Sequence, residues 1–395
     1  MISISKLLCD LDAEGDGLRY DAASESSKPQ ITENKQHRPV IVWNLTKQCN
    51  LYCSHCYAAA DTETAQGELT TEEGKRLLDD LAEYAVPVVL FSGGEPLVRD
   101  DLNELIRYAD SRGIRPVLST NGTLITPDIA RNLREAGLEY AGISVDGLPE
   151  RNDGFRGQDG AFDAAVRGIR ACLDAGLKTG LRYTITKQNA ADLSGVVDFL
   201  HDEGVNRFCF YHLDYGGRGA DIVDLDLPPE EKRAAVKRLC DLTREYHDQD
   251  EEIETLLVGN YSDAAYLVEY ARQYLSEAKA ERIHDYLRRN GGDPTGERVA
   301  DIDYQGNVHL TQFWQNYSLG NVRDRPFSAI WEDESNPLLK ALRNREQRLS
   351  GQCARCQYQN ICRGASRLRA LAIHDDPFAP DPQCYLTDGE IASNV

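Results

Sequence analysis

The chain has 395 residues, of which 41% are hydrophobic and 28% charged, with a mean hydropathy of -0.51. This balance excludes fibrous and disordered classes and allows one large or two to three ordinary domains. A formal net charge of -21 and a pI near 4.8 repel a phosphate backbone, so nucleic acid is not an expected partner. No apolar run approaches the roughly 20 residues that cross a bilayer, and Met1 to Asp10 lacks the apolar core and cleavage site of a secretory signal. No membrane span is therefore expected, and a cytoplasmic location is.

In chain order, residues 1–38 are polar and irregular around Ser24 to Lys35 and read as an N-terminal extension. Apolar, β-branched runs follow at Val40–Leu45, Val88–Phe91, Arg115–Ser119, Tyr140–Val145, Thr179–Thr184 and Arg207–His212, separated by helical patterns such as Thr70–Glu83. Such alternation predicts the α/β class, a parallel sheet wrapped by helices. Six units within 39–227 suggest a partial (β/α)6 barrel, whose ligands gather at the C-terminal strand ends. Residues 228–298 turn helical and charged, with Glu230–Tyr246 and Tyr261–Arg289 as helices, and are expected to bridge two domains. A hairpin at Val299–Leu310, turning at Gln305-Gly306-Asn307, opens a cysteine-rich domain over 299–395.

Eleven cysteines in a reducing compartment point to metal binding rather than disulfides. Cys49, Cys53 and Cys56 form a C-x3-C-x2-C run directly after the first strand. Three thiolates on one loop would leave one iron of a [4Fe-4S] cube with an open position. A structural zinc site is the other reading; it needs a fourth ligand such as His55 or a distant cysteine. Cys353, Cys356, Cys362 and Cys384 offer four thiolates for a second centre, iron-sulfur or zinc knuckle, whereas Cys9, Cys172, Cys209 and Cys240 lie singly and read as free or core thiols. Lysine supplies only 11 of the 44 basic residues, a bias that fits a salt-adapted surface or an ordinary acidic one.

This constellation resembles the radical S-adenosylmethionine (SAM) enzymes that carry a SPASM or twitch C-terminal domain, over about nine tenths of the chain. The resemblance implies that Cys49, Cys53 and Cys56 hold a [4Fe-4S] cluster whose open iron chelates SAM, and that reductive cleavage releases a 5′-deoxyadenosyl radical. Ser92-Gly93-Gly94-Glu95-Pro96 resembles the family's GGEP motif, in which glycines allow close backbone approach and the acid and carbonyls receive the methionyl ammonium; alone it would read as a tight turn. Ser119-Thr120-Asn121-Gly122 and Ser144-Val145-Asp146-Gly147 fall where the family contacts ribose and methionyl carboxylate. Arg182 is a candidate partner for that carboxylate or a structural ion pair. His55 occupies a position that is usually aromatic, with its ring near adenine. The four C-terminal cysteines resemble the ligands of an auxiliary [4Fe-4S] cluster. Thr311 stands where the fuller pattern has a cysteine after Gly306, which favours one auxiliary cluster over two.

Within the family, the opening Met1-Ile2-Ser3-Ile4-Ser5-Lys6-Leu7, Val42-Trp43-Asn44-Leu45-Thr46, Tyr211-His212-Leu213 with Gly217-Arg218-Gly219, and the closing Asp381-Pro382-Gln383-Cys384-Tyr385-Leu386-Thr387 are similar to the haem-biosynthetic branch, the opening and closing segments weighing most. That branch implies a tetrapyrrole substrate, removal of acetate arms from 12,18-didecarboxysiroheme to give iron-coproporphyrin III, and an electron donor such as ferredoxin or flavodoxin. Arg218, Arg323, Arg363 and Arg367 are candidate clamps for its carboxylates, or simply partners of nearby acids. His212 could approach the substrate iron or be a hydrogen-bonded structural residue. Decarboxylation of propionates, peptide modification by a SPASM enzyme, and non-catalytic iron-sulfur or haem binding are the alternative functions.

Overall fold

A computed structural model describes residues 1–20, 38–63 and 65–392; the extension expected around Ser24 to Lys35 lies outside them. Eleven strands form one sheet: β1 (Ile2–Ser3), β2 (Val40–Thr46), β3 (Val88–Gly93), β4 (Arg115–Thr120), β5 (Tyr140–Ser144), β6 (Lys178–Ile185), β7 (Arg207–His212), β8 (Glu254–Val258), β9 (Val299–Ile302), β10 (Asn307–His309) and β11 (Gly320–Asn321). Their spatial order is β1-β8-β7-β6-β5-β4-β3-β2-β9-β10-β11. Strands β2 to β8 run parallel with neighbours consecutive in the chain, and β9 adds to β2, also parallel. All six strands read from the sequence are present.

The alternation of side chains along each strand builds two faces. Ile41, Trp43, Val89, Phe91, Leu118, Phe208 and Phe210 are fully buried on the face that meets the helices. Their neighbours Val40, Val42, Val88, Leu90, Val117, Cys209 and Tyr211 line a cavity on the concave side. Helix Thr71–Glu83 illustrates the outer packing. Thr70 and Glu73 form a reciprocal capping box, and the helix buries Leu77, Leu78 and Leu81. Gly74 lets it close on Trp43, whose ring would lie 2.7 Å from an added Cβ.

Three features depart from the expected layout. The predicted bridging region contains β8, a seventh parallel strand, and β1 pairs with it antiparallel through Ile2↔Leu257 and Ser3↔Leu256. Residues 1–20 are consequently part of the fold, with Ile2, Ile4, Leu7, Leu8 and Tyr20 in the core. The long helix expected at Tyr261–Arg289 is two, Ser262–Tyr274 and Glu277–Asn290, because Leu275 leaves helical geometry and the Ser276 hydroxyl caps the second by accepting from the Lys279 amide. The hairpin at 299–310 forms as expected, with Val308↔Ile302 and His309↔Asp301 paired. It also prolongs the main sheet through β9, so the segment boundaries at 228 and 299 fall within one continuous sheet. No helix among the described residues is long and apolar enough to cross a membrane.

Candidate active site

The cysteine loop leaves the C-terminal end of β2 and is closed at its base, where the Cys49 amide donates to the Asp61 carbonyl at 2.7 Å and the Asp61 amide to that of Lys47 at 3.2 Å. Each of the three sulfurs receives an N–H: Leu51 amide to Cys49 at 3.4 Å, Ala60 amide to Cys56 at 3.4 Å, and the Arg156 guanidinium to Cys53 at 3.6 Å. Donors aimed at sulfur stabilise thiolates and cluster-bound sulfur alike. Burial first, with neighbouring acids and thiols adding to it, pushes the Cys49 thiol up to about 12 and the Cys53 thiol up as well, so the anionic form is favoured by the cationic charge that a cluster supplies. Among the described residues no three His, Cys, Asp or Glu side chains converge as the ligands of a single ion do; a cube, by contrast, takes one thiolate on each of several irons.

The three cysteines line a cavity of about 130 Å³ together with Ser92, Gly93, Gly94, Ser119, Asn121, Ser144 and Arg182. The loop after β3 is sewn to the cysteine loop by the Gly94 amide on the Thr46 carbonyl (2.8 Å) and the Glu95 amide on that of Gln48 (2.9 Å). An added Cβ at Gly94 would lie 2.1 Å from the Gln48 oxygen, and Gly93 adopts φ +123, so only glycine fits at either position. Glu95 plays a different part from the one expected. It is fully buried, outside the cavity lining, and accepts from the Thr120 hydroxyl (2.7 Å) and the amides of Asn121 (2.8 Å) and Leu97 (3.1 Å). Its carboxylate ties the β3 and β4 loops together, with Pro96 opening the short turn that follows. The backbone of Gly93 and Gly94, not the acid, faces the cavity.

Around the cavity, the Asn121 side-chain amide donates to Asn50 at 2.8 Å. The His55 ring stacks on Phe155 at 4.3 Å between centroids, and burial holds its pKa down to about 4, so it is neutral. Asp146, fully buried, accepts from Arg156 and from the Thr184 amide at 2.6 Å. Arg182 lies 4.7 Å over the Tyr211 ring and forms no ion pair among the described residues. Sequence reasoning missed two members. Arg156 shows no local motif, and Tyr57, next to Cys56, places its hydroxyl 3.0 Å from the Asn44 side-chain oxygen Oδ1 and 2.8 Å from the Ser92 hydroxyl.

Two of the four expected arginine clamps are held by acids and two by backbone carbonyls, with one terminal nitrogen of Arg218 and one of Arg367 left unpaired among the described residues. Arg218 holds the cysteine loop itself, donating to the Cys53 and Ala60 carbonyls at 2.8 and 2.6 Å under the Tyr52 ring. Arg323 pairs with Glu73, Arg363 with Glu297 and Glu346, and Arg367 donates to the Pro377 and Ala379 carbonyls. His212 alternates with Tyr211 and so turns toward the helix layer, where it meets Asp263 at 2.9 Å; it is the hydrogen-bonded structural residue. Cys353, Cys356, Cys362 and Cys384 gather in the C-terminal region, close enough that each of the other three raises the Cys362 thiol further above its burial-shifted value. Thr311 lies on the wall of the concave cavity.

Residues 43–200 match the model of the radical SAM superfamily, and residues 294–357 that of SPASM, an iron-sulfur cluster-binding domain. Over 395 residues the chain is 46% identical to the Fe-coproporphyrin III synthase of Methanosarcina barkeri, covering 99% of each. The chain belongs to the radical SAM superfamily. It is also 39% identical to the pre-heme d1 synthase of Dinoroseobacter shibae, over 89% of this chain and 87% of that one. The fold of this radical SAM enzyme is shared with Streptococcus suis SuiB bound to S-adenosylmethionine, at a TM-score of 0.69 and 18% identity, covering 89% of this chain and 78% of that chain. Its cofactors are a [4Fe-4S] cluster with SAM and an iron-sulfur cluster in the SPASM region.

Proposed function

We propose that this radical SAM enzyme removes acetate side chains from 12,18-didecarboxysiroheme to give iron-coproporphyrin III. The observation that carries the reading is the end-to-end 46% identity to the Methanosarcina barkeri Fe-coproporphyrin III synthase. Cutting a carbon-carbon bond on an unactivated side chain requires hydrogen abstraction by a primary carbon radical, which the cluster and SAM supply when bound. In this reading Cys49, Cys53 and Cys56 hold the cluster. The Gly93 and Gly94 backbone, Ser119, Asn121 and Ser144 position the methionyl and ribose groups, and Arg182 neutralises the carboxylate. Glu95 and Pro96 act at one remove by fixing the loops that present those groups. Cys353, Cys356, Cys362 and Cys384 hold the auxiliary cluster. Arg156 and Arg218 keep the cysteine loop rigid, and the Asn44-Tyr57-Ser92 chain fixes the chamber wall. A cytoplasmic setting and a ferredoxin or flavodoxin as electron donor complete the proposal.

The test is anaerobic reconstitution followed by incubation with SAM, reductant and didecarboxysiroheme. Loss of acetate arms by mass spectrometry supports the reading. Loss of carbon dioxide from propionates would make the protein a haem synthase instead. Absence of 5′-deoxyadenosine would leave only a cluster- or haem-binding role.

A further inference from the structure

The chamber over the cysteine loop continues into a larger cavity of about 290 Å³ inside the open barrel, and Arg182, Tyr211, Asp214, Gln312 and Phe313 line both. The barrel wall is apolar, with Val40, Val42, Val88, Leu90 and Val117 on adjacent strands. Its far end is not. There the strand starts bring in Tyr140 and Arg207, joined by Arg19 and Arg298. Arg19 and Arg207 share the Glu254 carboxylate at 2.9 and 3.1 Å. Arg298 donates to the Gly292 carbonyl at 2.6 Å and has no carboxylate partner among the described residues.

Among the described residues, three donors of this group are buried without an acceptor: the Nε–H of Arg19, the Nε–H of Arg207 and the hydroxyl of Tyr140. Arg19 is 7% exposed and Tyr140 8%, so these are interior groups facing a cavity, and buried donors are normally paired. Arg19 is balanced by Asp16 as well as by the Glu254 it shares with Arg207, so Arg298, together with the unused N–H and O–H groups, is what fits an anionic ligand rich in acceptors. The floor is remote from the reacting end. Arg207 and Tyr211 are four residues apart on β7, about 13 Å at about 3.3 Å per residue.

We propose that the inner cavity seats the flat apolar body of a polycarboxylate macrocycle, and that its floor, Arg298 with Arg19, Arg207 and Tyr140, binds the carboxylate arms that the reaction leaves in place. This rests on the tetrapyrrole reading above and adds its orientation. Arms anchored at the floor leave the opposite edge of the ring against the cysteine loop, so the floor selects which side chains meet the radical.

Iron-coproporphyrin III and its tetramethyl ester are the probes, titrated into the anaerobically reconstituted protein while the Soret band is followed. The free acid is expected to bind at least about tenfold more tightly than the ester. Arg298→Met is expected to remove that preference, and Tyr140→Phe to reduce it, with cluster absorption and SAM binding retained as the check on folding. Equal binding of acid and ester by the native protein, or an unchanged preference in both variants, overturns the floor while leaving the tetrapyrrole reading intact. Binding of neither probe overturns both.

Discussion

Tyr385 donates its hydroxyl hydrogen to Asp263 Oδ1 at 2.5 Å, while the other oxygen of the same carboxylate holds His212 at 2.9 Å. His212 ends β7 at the chamber, and Tyr385 follows Cys384, so one fully buried carboxylate joins the active-site strand to the auxiliary-cluster segment. Asp263→Ala strands two buried donors, at about 1–3 kcal/mol each. Urea unfolding under anaerobic conditions should show a loss of about 2–6 kcal/mol, with C-terminal iron released before N-terminal iron. An unchanged midpoint would reduce the link to a bystander.

The two cysteine groups should separate functionally. Cys53→Ala removes a sulfur that Arg156 supports at 3.6 Å and is expected to abolish 5′-deoxyadenosine formation while the C-terminal cluster's absorption persists. Cys356→Ala should do the reverse, keeping SAM cleavage and losing part of the iron. Iron and sulfide counts with nucleoside chromatography read both outcomes; a Cys53→Ala protein that still cleaves SAM contradicts the assignment.

The glycine pair after β3 offers a sharper contrast. Gly94→Ala drives a methyl into the Gln48 carbonyl, 2.1 Å away, whereas an added Cβ at Gly154, on an exposed helical site, meets nothing within 4 Å. Gly154→Ala should be neutral or stabilising by up to about 1 kcal/mol. Gly94→Ala should weaken SAM binding more than about tenfold, because the two loops that form the chamber can no longer touch. Equilibrium dialysis with labelled SAM tests the pair.

How far these sites were legible depended on the range of the interaction. The Cys49, Cys53 and Cys56 loop and the glycines after β3 are local patterns, and the structure places them on one cavity. Glu95 was legible as a motif member but not in its role, since its partners Thr120 and Asn121 lie at and just after the end of another strand. β8, a five-residue strand flanked by a charged stretch, gave no periodicity strong enough to stand out from the helices around it. The partners of the candidate arginine clamps were not legible, for a physical reason. A long guanidinium side chain reaches many acids and carbonyls, and sequence does not say which of them it finds. Arg298 emerges only from the fold, which sets it on the cavity floor with no carboxylate partner among the described residues.

Arg156 places a positive charge beside the Cys53 sulfur and is held there by Asp146. Cationic neighbours stabilise the reduced, more negative cluster. Arg156→Met is therefore expected to lower the midpoint potential of the N-terminal cluster, and Arg156→Lys to restore part of it. Redox titration monitored by electron paramagnetic resonance reads the shift directly. A potential unmoved in Arg156→Met would confine Arg156 to packing.

Asp301 gives a pH dependence of defined sign. Burial pushes its carboxyl up to about 8, with His309 opposing, and its Oδ1 accepts from the Asn44 side-chain amide at 2.8 Å. The folded protein holds this proton where the unfolded chain, at about 3.9, has lost it. Stability from the group is thus complete below pH 4 and is lost as pH rises through about 8, by up to about 1.4 kcal/mol per pH unit. Asp301→Asn keeps the acceptor for Asn44 and cannot ionise. The native protein should therefore lose melting temperature between pH 6 and pH 8 relative to Asp301→Asn, and the two curves should run parallel above about pH 9, where the carboxyl is fully ionised in both states. Melts of the two proteins across that range test it, and parallel curves from pH 6 to pH 8 would place the Asp301 proton elsewhere.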